Sequence, residues 1–284
     1  MDLQNWIDQS AERRPFRQAV HTILVAITRS DALKTTMVMK GGLLLALAYA
    51  STRYTRDIDF STAQTLAEFD RSAFVSALDT ALLQAVNSLD YGLDCRVQRH
   101  RQKPPQADAT FPTLEIAVGY AYKHERSAHR RLLNNNSPHI VEIDYSLNEP
   151  SWETDLFELG KGQQLRIYSF TDLVAEKFRA LLQQAARNRR RRQDVYDLHF
   201  LLAHHPRATD ATTRHKIRDT LINKAKSRGL EVGKDSLANP EIIRLSQAEY
   251  AQLAQEIEEP LPDFATAYAA IRAYYESLPW KNIC

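Results

Sequence analysis

Residues Met39 to Phe60 read MKGGLLLALAYASTRYTRDIDF, and this stretch decides how the rest of the chain is read. Two glycines follow a short apolar run, an apolar helix-like segment comes next, and Asp57-Ile58-Asp59-Phe60 closes the stretch in alternation. On a strand, Ile58 and Phe60 would face a core while Asp57 and Asp59 share the opposite face. Two carboxylates projecting together repel each other unless they hold a divalent cation, and hard oxygen ligands suit Mg²⁺. Gly41 and Gly42 stand where a strand would become a helix. There the backbone can approach a phosphate closely, and the N–H groups of Leu43 to Leu45 would point at it. A phosphate cradle and a metal clamp in one short unit are the parts of a phosphoryl-transfer site.

The ordered combination of Gly-Gly, a helix and R-x-T-x-D-I-D-F resembles the signature of the DNA polymerase β-type nucleotidyltransferase superfamily. Within it, the chain is most similar to the AbiEii/AbiGii toxin family, the toxins of type IV toxin–antitoxin systems. That family carries K-G-G or K-G-S at this point and a later K…RD-x-YDL element. Here those positions are Lys40-Gly41-Gly42, then Lys177, then Gln193-Asp194-Val195-Tyr196-Asp197-Leu198. Gln193 stands where the family has Arg.

Composition sets the class. The chain has 284 residues, 44% hydrophobic and 25% charged, which is the balance of a globular protein. Its length allows one large domain or two modest ones. The net charge of +2 means that any nucleic-acid site must be a local patch. Cys95 and Cys284 are far apart in sequence, so no disulfide framework is expected and reducing cytoplasm is the default location. No signal peptide is read at the N-terminus, and no apolar run is long enough to span a bilayer.

Apolar spacing predicts a helix over residues 11–29, a buried strand over 35–39 and a core helix over 43–49. A helix over 66–89 follows the D-I-D strand. Strands are expected over 93–99 and 114–122, separated by a polar loop from Arg101 to Ala109, and again over 139–147. Leu165 and Ile167 suggest one more short strand. Ser169 or Thr171 can cap the helix after it. Further helices are expected over 207–229 and 246–258. A final one carries Phe264, Tyr268, Ile271, Tyr275 and Leu278, a stripe that reads as core.

The strand HIVEIDYSL holds the third candidate carboxylate. Glu142 and Asp144 share a face, so the residues alone leave both open. The superfamily uses an apolar–Asp–apolar triplet here, which favours Asp144. Lys177 has Leu173 and Leu181 at i−4 and i+4, which places it toward an inward face where it needs a partner, either a triphosphate or an aspartate. Otherwise its ammonium snorkels to the surface. Arg187 and Arg189 to Arg192 put five arginines in six residues. Such a run can contact an RNA backbone, or it can be a solvated loop. Asp194 can act with Lys177 or cap a helix, and Asp197 can orient Lys177 or the arginines. His204 and His205 have no Cys, His or acidic partner at metal-binding spacing.

The resemblance therefore implies an α+β nucleotidyltransferase domain over residues 1–165. A helical domain over 166–284 would follow and complete the active-site cleft. Asp57, Asp59 and Asp144 would hold Mg²⁺. Lys40, Gly41, Gly42, Arg56 and Lys177 would bind the nucleoside triphosphate, and Lys177 and Asp194 would join the aspartates in catalysis. Arg187, Arg189, Arg190, Arg191 and Arg192 would bind an RNA acceptor, with the 3′ end of transfer RNA among those used by relatives. The resemblance also implies a growth-inhibiting toxin with a cognate antitoxin. The same donor site could serve a protein hydroxyl, a small-molecule acceptor or γ-phosphate transfer. A non-catalytic nucleotide- or RNA-binding module is the remaining alternative.

Overall fold

A computed structural model describes residues 3–160 and 162–280. The chain forms two compact units, Met1–Ala48 with Thr55–Ile167, and Tyr49–Tyr54 with Tyr168–Cys284.

The first unit is built on a seven-stranded mixed sheet of order β3-β4-β5-β2-β1-β7-β6. Its strands are β1 (Val38–Lys40), β2 (Asp57–Ser61), β3 (Leu93–Lys103), β4 (Thr113–Tyr122), β5 (Ile140–Ser146), β6 (Thr154–Gly160) and β7 (Gln163–Tyr168). The helices are α1 (Leu3–Asp8), α2 (Arg14–Arg29), α3 (Asp31–Thr36), α4 (Gly41–Tyr49), α5 (Arg71–Ser88) and α6 (Arg126–Leu133). α2 buries Val20, Ile23, Leu24 and Ile27, the residues that recur at helical spacing. α4 buries Leu43, Leu44, Leu45 and Leu47, as an all-apolar segment must. β2 runs parallel to β5 and antiparallel to β1, so the strand carrying Asp57 and Asp59 is interior to the sheet.

The second unit is helical. It comprises α7 (Phe170–Leu182), α8 (Gln184–Arg187), α9 (Arg192–His204), α10 (Ala211–Ser227), α11 (Pro240–Gln247) and α12 (Phe264–Glu276). Ser169 caps α7 by accepting from the Asp172 N–H at 3.2 Å. α12 buries Tyr268, Ile271 and Tyr275, the expected stripe. The mixed α+β fold with a helical C-terminal part agrees with the sequence reading.

Several boundaries differ. The strand expected over 35–39 begins only at Val38. Thr35 and Thr36 close α3 instead, their hydroxyls donating to the carbonyls of Asp31 and Ala32 at 2.8 and 2.9 Å. The helix expected over 66–89 starts at Arg71, where Asp70 accepts from the Ala73 N–H at 2.9 Å. Arg101 to Lys103 are not loop: they pair with Glu115, Leu114 and Thr113 and lengthen β3. The helix expected over 246–258 is interrupted at Glu249, whose φ is +63°, and residues 250–255 form a 3₁₀ turn. The edge strand β6 gave little signal because its face is wet, with Leu156 62% exposed. Cys95 is buried, and Cys284 lies outside the described residues. Among the described residues no helix is long and apolar enough to cross a membrane.

Candidate active site

β2 positions the first two carboxylates. Ile58 and Phe60 are fully buried, while Asp57 is exposed and Asp59 half-buried on the other face. The neighbouring strands then fix what stands beside them. Asp57 is opposite Glu142, and Asp59 is opposite Asp144 on β5. Lys40 on β1 is opposite Asp59, and Glu115 on β4 is opposite Asp144. Directly paired residues share a face of the sheet, so Glu115, Asp144, Asp59 and Lys40 form one row across β4, β5, β2 and β1.

That row is electrostatically crowded. Burial, followed by the charges of Asp59, Asp57 and Glu115, pushes the Asp144 carboxyl from 3.8 up to about 6, and Lys40 opposes this only in part. Glu142 has a cation of its own, accepting from Arg99 at 2.7 Å. Glu115 behaves differently from Asp144. Burial acts to raise its titration, but hydrogen bonds and charge from Arg101 and Lys103 outweigh that and hold it below the usual carboxylate range. Lys40 bonds Ser146 Oγ at 3.2 Å and pairs with Glu149, and both charged side chains are largely buried.

Gly41 opens α4 with φ +78°, a conformation that glycine adopts without steric cost. A Cβ there would lie 1.9 Å from Asp59 Oδ2 and 2.6 Å from its Cγ. The glycine is therefore required by the aspartate beside it, whatever else it admits. Gly42 is buried in the first turn of α4, where backbone N–H groups lack helical acceptors. Arg56 is exposed and immediately precedes Asp57.

As they stand, no three Asp, Glu, His or Cys side chains among the described residues are gathered to hold a metal ion. Asp57 and Asp59 are two residues apart on a strand, about 6.6 Å. The donor set itself fits Mg²⁺: carboxylate oxygens from adjacent strands, crowded enough that Asp144 resists ionisation.

The second unit holds a separate buried cluster. Asp197 is fully buried and accepts two hydrogen bonds from Arg53, at 2.8 and 2.9 Å. It also accepts from Lys177 Nζ at 2.7 Å, and Lys177 reaches Asp194 Oδ1 at 3.1 Å. Burial acts to lower the Lys177 titration, but Asp197 and Asp194 overcome it and keep the ammonium charged. The partner that Lys177 needed is thus a pair of aspartates from α9. Asp194 lies in the first turn of α9 and does not cap it; Arg191 is at the cap position. Asp194 Oδ2 is buried without a hydrogen bond, 4.0 Å from Arg191.

The arginine run is partly neutralised. Arg190 pairs with Glu249, and Arg192 bonds Glu249, Gln252 and Glu256 at 3.1, 2.8 and 3.1 Å. Arg187 is exposed, and burial together with Arg228 and the neighbouring arginines lowers its titration. Sequence reasoning did not anticipate Glu115, Glu149 or the Arg53 clamp. The one available signal was Arg53 within R-x-T, since an arginine beside a core helix needs a carboxylate.

An interior D-x-D strand, a neighbouring strand carrying a third acid and a glycine-opened helix stand together as a nucleotidyltransferase site would require, and a solved structure matches the fold at a TM-score above 0.5. The structure of JHP933 from Helicobacter pylori superposes with a TM-score of 0.53 at 15% identity, covering 94% of this chain and 93% of that one. A candidate nucleotidyltransferase from H. pylori gives 0.48 at 17% identity, covering 94% and 96%. An antigenic nucleotidyltransferase-like protein from Paracoccidioides brasiliensis gives 0.36 at 13% identity, covering 85% and 95%. Comparison with curated proteins found no match. Residues 22–275 match the family described as nucleotidyl transferase AbiEii toxin, type IV TA system, and the chain belongs to that family. It is a nucleotidyltransferase, and the family implies a nucleoside triphosphate substrate and an antitoxin partner.

Proposed function

We propose that the chain transfers a nucleotide from a nucleoside triphosphate to an RNA acceptor in a Mg²⁺-dependent reaction, with growth inhibition as the consequence. The observation that carries this reading is the register of Asp59 against Asp144, which sets mutually repelling carboxylates beside the start of α4. Asp57, Asp59 and Asp144 would hold the metal. Bound there, Mg²⁺ would neutralise the carboxylates and the charge that develops on the triphosphate.

The chain's own groups account for the rest. Asp144 would be the third carboxylate in preference to Glu142, because it stands directly opposite Asp59, whereas the Glu142 side chain is 41% exposed. Burial and the charges of Asp59 and Asp57 raise the Asp144 titration without metal, and a bound Mg²⁺ would restore its ionised form. The first-turn N–H groups of α4, opened by Gly41 and Gly42, would seat phosphate oxygens, with Arg56 adding positive charge. Lys40 neutralises the end of the row. Lys177 is kept protonated by Asp194 and Asp197. The bond formed joins the acceptor oxygen to the α-phosphorus, and pyrophosphate leaves.

The test is incubation with Mg²⁺ and each α-³²P-labelled nucleoside triphosphate, with and without cellular RNA. Label in an RNA band supports the reading. Label on protein alone would move the acceptor to a protein hydroxyl. Phosphate carried over only from γ-labelled donor would replace nucleotidyl with phosphoryl transfer.

A further inference from the structure

The sheet face that carries Asp57, Asp59 and Asp144 continues onto the edge strand β3. Arg101 is opposite Glu115, which is opposite Asp144. Arg99 is opposite Ala117, Ala117 is opposite Glu142, and Glu142 is opposite Asp57. Lys103 is opposite Thr113, itself opposite Ser146. By this register Arg99, Arg101 and Lys103 rise on the carboxylate side of the sheet. Two strand spacings separate them from β5, about 10 Å, and successive members of the set stand about 6.6 Å apart.

Their side chains are 63%, 73% and 64% exposed. Arg99 is held by Glu142, and Arg101 and Lys103 share Glu115. Exposed ion pairs of this kind contribute little and exchange readily for a stronger anion. Three cations share two carboxylates along this edge. α6 borders the same face, with His129 bonding Asp94 at 3.0 Å and Gln98 reaching the Leu132 carbonyl at 3.3 Å. It carries the exposed Arg126, Arg130 and Arg131. In the run Arg189 to Arg192, Arg190 and Arg192 are likewise paired, with Glu249 and Glu256.

We propose that the basic edge formed by Arg99, Arg101 and Lys103 binds the sugar–phosphate backbone of a single-stranded RNA and leads its terminal hydroxyl toward Asp144. This rests on the RNA-acceptor reading above. A row of cations at alternate strand positions matches the repeat of phosphates along an extended strand. A duplex would present its phosphates across a groove instead. The edge position of β3 leaves the strand open on one side, and the register aims it at the carboxylates.

The test is fluorescence anisotropy of a labelled single-stranded RNA with the full chain and Mg²⁺, without nucleotide, across a salt series. The variants are Arg99→Gln/Arg101→Gln/Lys103→Gln and, for comparison, Arg189→Gln/Arg190→Gln/Arg191→Gln, each checked for an unchanged Tm. The β3 variant is expected to bind at least about tenfold more weakly at low salt, with a log–log salt slope shallower by about 2. The comparison variant should change binding less. Wild-type binding in the β3 variant, or no RNA binding by the wild type, would overturn the proposal. α-label transfer separates the two claims. RNA bound through β3 but never labelled would defeat the transfer reading and leave this one standing. RNA labelled equally well by wild type and the β3 variant would do the reverse.

Discussion

Asp59 and Asp144 stand directly opposite each other on the parallel strands β2 and β5. Burial first, then this repulsion and the charge of Asp57, push the Asp144 carboxyl from 3.8 up to about 6. A carboxyl whose folded value is raised contributes stability that is complete below its unfolded value. That contribution is lost as pH rises through the folded value. Without metal, this group therefore favours the folded state near pH 4 and opposes it above pH 6. Asp144→Asn should raise the metal-free Tm at pH 7.5 by roughly 2–4 °C, and the gain should shrink toward pH 4. Mg²⁺ should raise the wild-type Tm at pH 7.5, less at pH 5, and less in the variant than in the wild type. Differential scanning calorimetry at the three pH values checks this, and equal Mg²⁺ effects in both proteins would count against Asp144.

A side chain at position 41 would enter the space that Asp59 fills, so substitutions at the two positions should not be additive. Gly41→Ala forces a Cβ to within 1.9 Å of Asp59 Oδ2 and strains a backbone at φ +78°. A loss of about 1–3 kcal/mol is expected from the strained conformation, more with the clash included. In an Asp59→Gly background the clash disappears and only the backbone term remains. Urea unfolding of the four proteins in the cycle should give a coupling of about 0.5–3 kcal/mol. A coupling of zero would mean that the two residues are independent.

Asp197 serves two cations at once, Arg53 and Lys177. Burial acts to raise its titration, but the two cations outweigh that and hold it below 3.8. A lowered carboxylate contributes stability above its unfolded value and loses it as pH falls through the folded one, so this cluster should fail only below about pH 4. Asp197→Asn leaves a buried positive charge underneutralised and should cost about 3–5 kcal/mol in urea at pH 7. A loss under 1 kcal/mol would show that the cluster tolerates imbalance.

Lys177→Met keeps the apolar stem and removes the charge. Asp194 and Asp197 then lose their ammonium partner, so Tm should fall. A KM for nucleotide raised at least tenfold would add a nucleotide role, and an unchanged KM would make Lys177 purely structural. Steady-state kinetics with pyrophosphate release as the readout separates these outcomes.

Much of this was legible in the chain because local rules decided it. The alternation in Asp57-Ile58-Asp59-Phe60 fixed which side chains face inward, and the Gly-Gly before an apolar run fixed the strand-to-helix join. Strand order was not legible. Nothing in TLEIAVGYAY says that Glu115 will stand beside Asp144, since that depends on β4 pairing with β5 over a long separation in sequence. Nor could spacing show that Asp197 would be claimed by Arg53, which lies 144 residues away. Thr35 and Thr36 misled through β-propensity, which tertiary context overrode by letting their hydroxyls bond back into a helix. The arginine run was read from charge alone, and the acids that meet it, Glu249 and Glu256, come from a turn whose position the sequence did not reveal.

The central claim is that nucleotide transfer depends on the carboxylate row. The most direct measurement is transfer of α-³²P label to cellular RNA by wild type, Asp57→Ala and Asp59→Ala, with Mg²⁺ and with folding verified by circular dichroism. The account predicts labelled RNA with the wild type and none with either folded variant. Transfer at wild-type rates by both variants would contradict it.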